Sequence, residues 1–114
     1  MITEKFNEIL DEQIKRSTNV LCKKAEEYAT EDRLHNFKVA AEVQGISPVK
    51  ALAGMMAKHT VSVYDMCMSG KGYPIALWDE KITDHINYLL LLAALIRDWG
   101  YIDEGETTDE RERV

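Results

Sequence analysis

The stretch from Trp78 to Trp99 constrains this chain more than any other. Ile86 to Ile96 is its most apolar run, and Leu89 to Ile96 is apolar nearly all round. Spacing of this kind predicts a long buried helix, ended by Gly100. The run is too short to span a bilayer and is flanked by Asp84 and by Arg97-Asp98. A small bundle cannot easily cover every side of such a helix, so the remainder is expected to be buried in a homodimer or higher homo-oligomer. One side breaks the apolar pattern. Glu80, Asp84 and Asn87 fall within a narrow arc at about 100° per residue, and Leu91 continues it. Burying an unpaired carboxylate is costly, so this stripe needs a reason.

The rest of the chain also reads as helix. Ile2, Phe6, Ile9, Leu10, Ile14, Val20, Leu21, Ala25 and Tyr28 recur at steps of three and four. They predict one long amphipathic helix with one face buried and a weak point at Ser17-Thr18-Asn19, whose side chains compete for backbone hydrogen bonds. Thr30 to Leu34 reads as a connection and Asn36 to Gln44 as a short helix closed by Gly45. Ser47-Pro48 is a start signal for a helix reaching about Met68. Ser69 to Pro74 is a loop by composition, and Tyr73 to Leu77 is expected to strap across the domain. No segment alternates with period two. The expected fold is therefore all-α, a bundle of three long helices and one short helix over residues 1–100. The charged segment 101–114 is expected to be a disordered tail.

Composition narrows the function classes. The formal net charge is -6, and an acidic surface repels phosphate backbones, which argues against a nucleic-acid partner. Cys22 and Cys67 are too few for a disulfide framework and match no zinc spacing. The polar, amphipathic start is not a signal peptide. With no membrane-length run either, the expected location is cytoplasmic.

Three groups of residues are candidates for chemistry. Glu80 and Asp84, one turn apart, are hard oxygen ligands suited to Mg²⁺ or Mn²⁺, which in turn can hold a polyphosphate. The alternative is that they are ordinary acids favoured by the helix dipole. Lys58, on a line with Ser62 and Asp65, could meet a phosphate, pair with an acid of the last helix, or snorkel at the surface. Tyr28 with Asn36-Phe37 could stack on and hydrogen-bond a base, or only pin a loop. The charges around them, Arg33 included, read as a solvated helix end. His59 reads as a packed core histidine and the methionines as core filler.

The order of these features resembles a known family. Glu27-Tyr28, Asn36-Phe37 with Ala40-Ala41, Ile46-Ser47-Pro48, Ala51-Leu52, Met55-Met56, Lys58, then Trp78, Glu80, Asp84 and Asn87-Tyr88 resemble the small phage-type branch of the MazG-like all-α nucleotide pyrophosphatases. The likeness covers about Lys23 to Ile96. It implies Mg²⁺-dependent cleavage of a nucleoside triphosphate to a monophosphate and pyrophosphate, in a phage or prophage context. It implies Glu80 and Asp84 as catalytic, metal-holding acids and Asn87 as a polar helper, and Lys58 lies where this branch has a lysine. Taken with the reading of the residues, Lys58 is expected on phosphate and Tyr28 or Asn36 near the base.

The chain departs from the family on the preceding helix, where members carry a Glu-x-x-Glu pair. Met55-Met56-Ala57-Lys58-His59 has no acid, and none follows until Asp65. Half of the metal site is therefore missing, or supplied by Glu26, Glu27 or Glu31, or by another subunit. Two alternatives to the enzyme follow: a relative that binds and sequesters a nucleotide without cleaving it, and a helical interaction module that inhibits a host protein.

Overall fold

The computed structural model describes residues 1–28 and 32–99, with the side chains of 24–28 excepted. Four helices account for nearly all of them: α1 (Thr3–Tyr28), α2 (His35–Gln44), α3 (Pro48–Met68) and α4 (Ile75–Trp99). There is no strand among the described residues. The fold is all-α, as the periodicity predicts.

Local chemistry sets the boundaries in the middle of the chain. Gly45 adopts φ 67°, the left-handed conformation that costs an L side chain most. Its N–H donates to the Glu42 carbonyl at 3.3 Å, and the Ile46 N–H reaches the Ala41 carbonyl at 3.0 Å. Two orphan carbonyls at the end of α2 are thus satisfied. Two residues later Ser47 Oγ accepts the Lys50 N–H at 3.2 Å, and Pro48 occupies the first turn of α3. Stop and start signals this close force α2 and α3 into a tight hairpin.

Two expectations about α1 and α4 need correction. The weak point at Ser17-Thr18-Asn19 does not break α1. Thr18 Oγ1 donates to the Ile14 carbonyl at 2.9 Å and Ser17 is buried, so neither hydroxyl unwinds the helix. Tyr73 to Leu77 is no strap. Pro74 offers its carbonyl to the N–H groups of Leu77 and Trp78, so α4 begins at Ile75, which is exposed. Only Tyr73 folds back, its ring edge-on to Trp78 at 5.7 Å and its hydroxyl donating to Ser69 Oγ.

The core lies between α2, α3 and α4. Leu34, Phe37, Leu52 and Leu95 are its buried centre, with Val49, Met55, Met56, Tyr88, Leu91 and Leu92 packed around them. Among the described residues α1 approaches the backbone of α4 alone. The expected burial of its apolar face therefore holds only in part. Ile2, Phe6, Ile9, Leu10 and Ile14 are 42–69% exposed. Nor is the run in α4 enclosed all round: Leu95 is fully buried, while Leu89 and Leu90 are each 48% exposed. Among the described residues no helix is long and apolar enough to cross a membrane. The expected tail, 101–114, lies outside the described residues.

Candidate functional site

The meeting of α1 with α4 is a polar seam. On α4, Asp79, Thr83 and Asn87 recur every four residues and turn one line of side chains toward α1. On α1, Gln13, Arg16 and Ser17 answer them. Gln13 Nε2 donates to Thr83 Oγ1 at 3.0 Å and to Ser17 Oγ at 3.1 Å. Arg16 Nη1 lies 3.6 Å from Asp79 Oδ1 and donates to Gln13 Oε1 at 2.8 Å. Asn87 Nδ2 donates to the Ser17 carbonyl at 3.3 Å.

Asn87 is the exception in this seam. It is 6% exposed, and its Oδ1 has no hydrogen-bond partner. Turning the amide over would set that oxygen against the Ser17 carbonyl, so the oxygen cannot trade places with the nitrogen. A buried acceptor without a donor costs about 1–3 kcal/mol. Such a group in a well-formed core marks either stored cost or a place where something else binds.

What lies beside Asn87 favours the second reading. A cleft of about 170 Å³ is lined by residues of all four helices. From α4 it is lined by Asp84, Asn87, Tyr88 and Leu91, a single helical stripe. Asn36 and Phe37 enter from the first turn of α2, and Arg33 from the residues before it. Met55 and His59, one turn apart, close it from α3, and Leu21 from α1. The aromatic walls are interlocked: the Tyr88 ring lies 4.8 Å from His59, tilted by 34°, and 6.5 Å from Phe37, edge-on.

Arg33 is held near α4 by a clasp. Lys38 Nζ donates to Asp32 Oδ2 at 2.7 Å and to Asp98 Oδ2 at 2.8 Å, tying the start of α2 to the end of α4. Asp32 also accepts the Leu34 N–H at 3.0 Å. The Lys38 hydrogen bond, then that N–H, hold the Asp32 carboxyl below its ordinary range. Asp32 and then Asp98 hold the Lys38 ammonium above its own.

Asp84, Asn87 and Asn36 thus meet in one cleft, although Asn36 comes from a different helix. The other candidates do not join them. Glu80 is exposed and lies on a neighbouring, more open depression with Arg16, Val20, Ala76, Asp79, Thr83 and Asp84. Asp84 lines both. Glu80 sits one residue off the line of α4 that faces α1, which is the half-buried Asp79 and the buried Thr83 and Asn87. Lys58 is exposed and lines neither hollow. The side chains of Glu26, Glu27 and Tyr28, and all of Glu31, lie outside the described residues.

Among the described residues no three of His, Cys, Asp and Glu are gathered closely enough to hold a metal ion. Glu80 and Asp84 supply the right donor chemistry for Mg²⁺, but two carboxylates on adjoining hollows fill only part of its shell.

Sequence reasoning missed Arg33, His59 and Met55 as lining groups. The only signal for Arg33 was its place three residues before Asn36. His59 and Met55 were visible as one face of α3, with nothing to say that the face borders a cleft. No family model, curated protein or solved structure matches the chain.

Proposed function

We propose that this protein handles nucleotides and binds one in the cleft between its four helices. The observation that carries the reading is the convergence on one cleft of Asn36, Asp84 and the unsatisfied Asn87, beside the rings of Phe37, Tyr88 and His59. Flat rings flanked by a few fixed polar groups are what recognition of a base requires. The likeness to the MazG-like pyrophosphatases, carried by Asn36-Phe37, Glu80, Asp84 and Asn87-Tyr88, supports the same class of ligand. Neither Lys58 nor Glu80 reaches the cleft, so the base end of the ligand is the part best provided for.

Hydrolysis is a second reading, and one observation favours it. Asp84 lines both the cleft and the depression that holds Asp79 and Glu80, so phosphates on a base in the cleft can extend toward those acids. Mg²⁺ or Mn²⁺ held there by Glu80 and Asp84 would neutralise phosphate charge and lower the pKa of a bound water. Phosphate oxygens would have to complete the metal's shell, or Glu27 or another subunit would add to it.

Incubation with a panel of ribo- and deoxyribonucleoside triphosphates, with Mg²⁺ or Mn²⁺, separates the two. Release of pyrophosphate that Glu80→Gln abolishes supports cleavage. Saturable thermal stabilisation without turnover supports binding alone. Neither effect with any nucleotide refutes both.

We further propose that the chain works as a homodimer or larger assembly, with Ile2, Phe6, Ile9, Leu10 and Ile14 of α1 as the apolar face it buries.

A further inference from the structure

The cleft is chemically lopsided. Its α4 wall carries the Asp84 carboxylate and Asn87, whose unsatisfied Oδ1 is itself buried. These residues are three apart on one helix, with Cβ atoms about 5–6 Å from each other, so a single ring edge can reach both. The same cleft is also lined by Arg33, a fork of donors, and by Asn36, both from outside α4. Arg33 and Asp84 border the same cleft, yet neither enters an ion pair among the described residues. Opposite charges facing one hollow without pairing leave space for a group that answers both.

From this we infer that the cleft selects a guanine base. The inference rests on the nucleotide-binding reading and deepens it, and it puts Asp84 on the base rather than on a metal. Guanine is the common base with three hydrogens along one edge, the N1–H and the two of the 2-amino group. Asp84 can accept two of them side by side, as a carboxylate accepts from a fork of donors. The third lies toward Asn87, whose buried Oδ1 lacks a donor and would accept it once the side chain turns into the cleft. The other end of guanine presents O6 and N7, both acceptors, for which the arginine fork is the best-matched partner.

Competing bases fail on the α4 wall. Adenine and cytosine set a ring-nitrogen acceptor beside their amino group, against the carboxylate. Uracil and thymine bring one N–H between two carbonyls. A guanidinium ligand would suit Asp84 and Asn87 but would be repelled by Arg33. At about 170 Å³ the cleft is open to solvent, so a flat base can enter by its edge with sugar and phosphates left outside.

The test uses calorimetric titration of the full chain in Mg²⁺ with non-hydrolysable α,β-methylene triphosphates of guanosine, inosine, xanthosine, adenosine, cytidine and uridine. Guanosine should bind most tightly. Inosine, which lacks the 2-amino group, should lose on the order of 10- to 100-fold. The Asp84→Asn variant, which offers one acceptor and one donor, should exchange guanosine for xanthosine, whose edge is N1–H beside a carbonyl. A merely structural or metal-binding role for Asp84 would weaken all bases alike. Equal binding of guanosine and inosine, binding indifferent to base, or an even loss in Asp84→Asn would overturn the guanine assignment while leaving nucleotide binding intact. No binding of any analogue would overturn both. The wild-type comparison decides the matter even if the variant fails to fold.

Discussion

Asn87 is the residue on which the account turns, because it couples stability to function in opposite senses. Its Nδ2 helps to fasten α4 to the Ser17 carbonyl, while its Oδ1 remains without a donor. Replacing it with leucine, similar in size and without polar atoms, removes that unsatisfied acceptor and loses one 3.3 Å hydrogen bond. Asn87→Leu should therefore melt at the same temperature as the wild type or higher, while nucleotide binding falls by at least roughly tenfold. A melting temperature lowered by many degrees with binding unchanged would mean that Asn87 serves packing alone.

The clasp at Asp32, Lys38 and Asp98 makes a prediction about pH. Pairing depresses the Asp32 pKa, so its contribution to stability is present above the unfolded value of about 4 and is lost as pH falls through the lower folded value. The Lys38 pKa is raised, so its contribution is present below the unfolded value of about 10.4 and is lost as pH rises through the higher folded one. Thermal melts of wild type and Lys38→Met should differ most between these limits and converge toward pH 3. A difference independent of pH across that range would rule out the clasp as its source. All three groups are solvent-exposed to a large degree, so the difference should also shrink in high salt.

At the level of elements, the α2–α3 hairpin depends on Gly45. Nothing lies within 4 Å of where a Cβ would stand, so an alanine there meets no clash and incurs only the backbone cost of its left-handed conformation. Gly45→Ala should destabilise by about 1–2 kcal/mol in denaturant titration. A neutral result would show that α2 ends by other means. This hairpin was legible in the sequence because its determinants are local: glycine at one position, then serine and proline two and three residues on. The polar side of α4 was legible as a side but not as a line. Periodicity places 79, 80, 83, 84 and 87 near one another, and only the partners on α1, Gln13, Arg16 and Ser17, decide that Thr83 is buried while Glu80 stays in solvent. Arg33 was the least legible. A basic residue at a helix end belongs to solvent in most folds, and here a clasp reaching from Asp32 to Asp98 brings its segment against α4.

At the scale of the molecule, the spacing in α1 correctly marks an apolar face but cannot say what covers it. α1 has 26 residues, about 39 Å of helix, and its contacts with α4 begin near Gln13. The exposed Ile2, Phe6, Ile9, Leu10 and Ile14 lie before or beside that point. If a second copy covers them, sedimentation at increasing concentration should give a mass above 13.0 kDa, and Phe6→Glu with Ile9→Glu should return the protein to a monomer. A wild type that sediments as a monomer at every concentration contradicts the assembly. The cleft is lined by residues of one chain, so binding should survive in the monomer. The most direct test of the central claim follows the side-chain amide signals of Asn36 and Asn87 by NMR during titration with GTP. Both should shift saturably at a common midpoint, with the Asn87 signal lost from the spectrum of Asn87→Leu. Signals that stay in place while GTP binds elsewhere, or a spectrum GTP leaves unchanged, would contradict it.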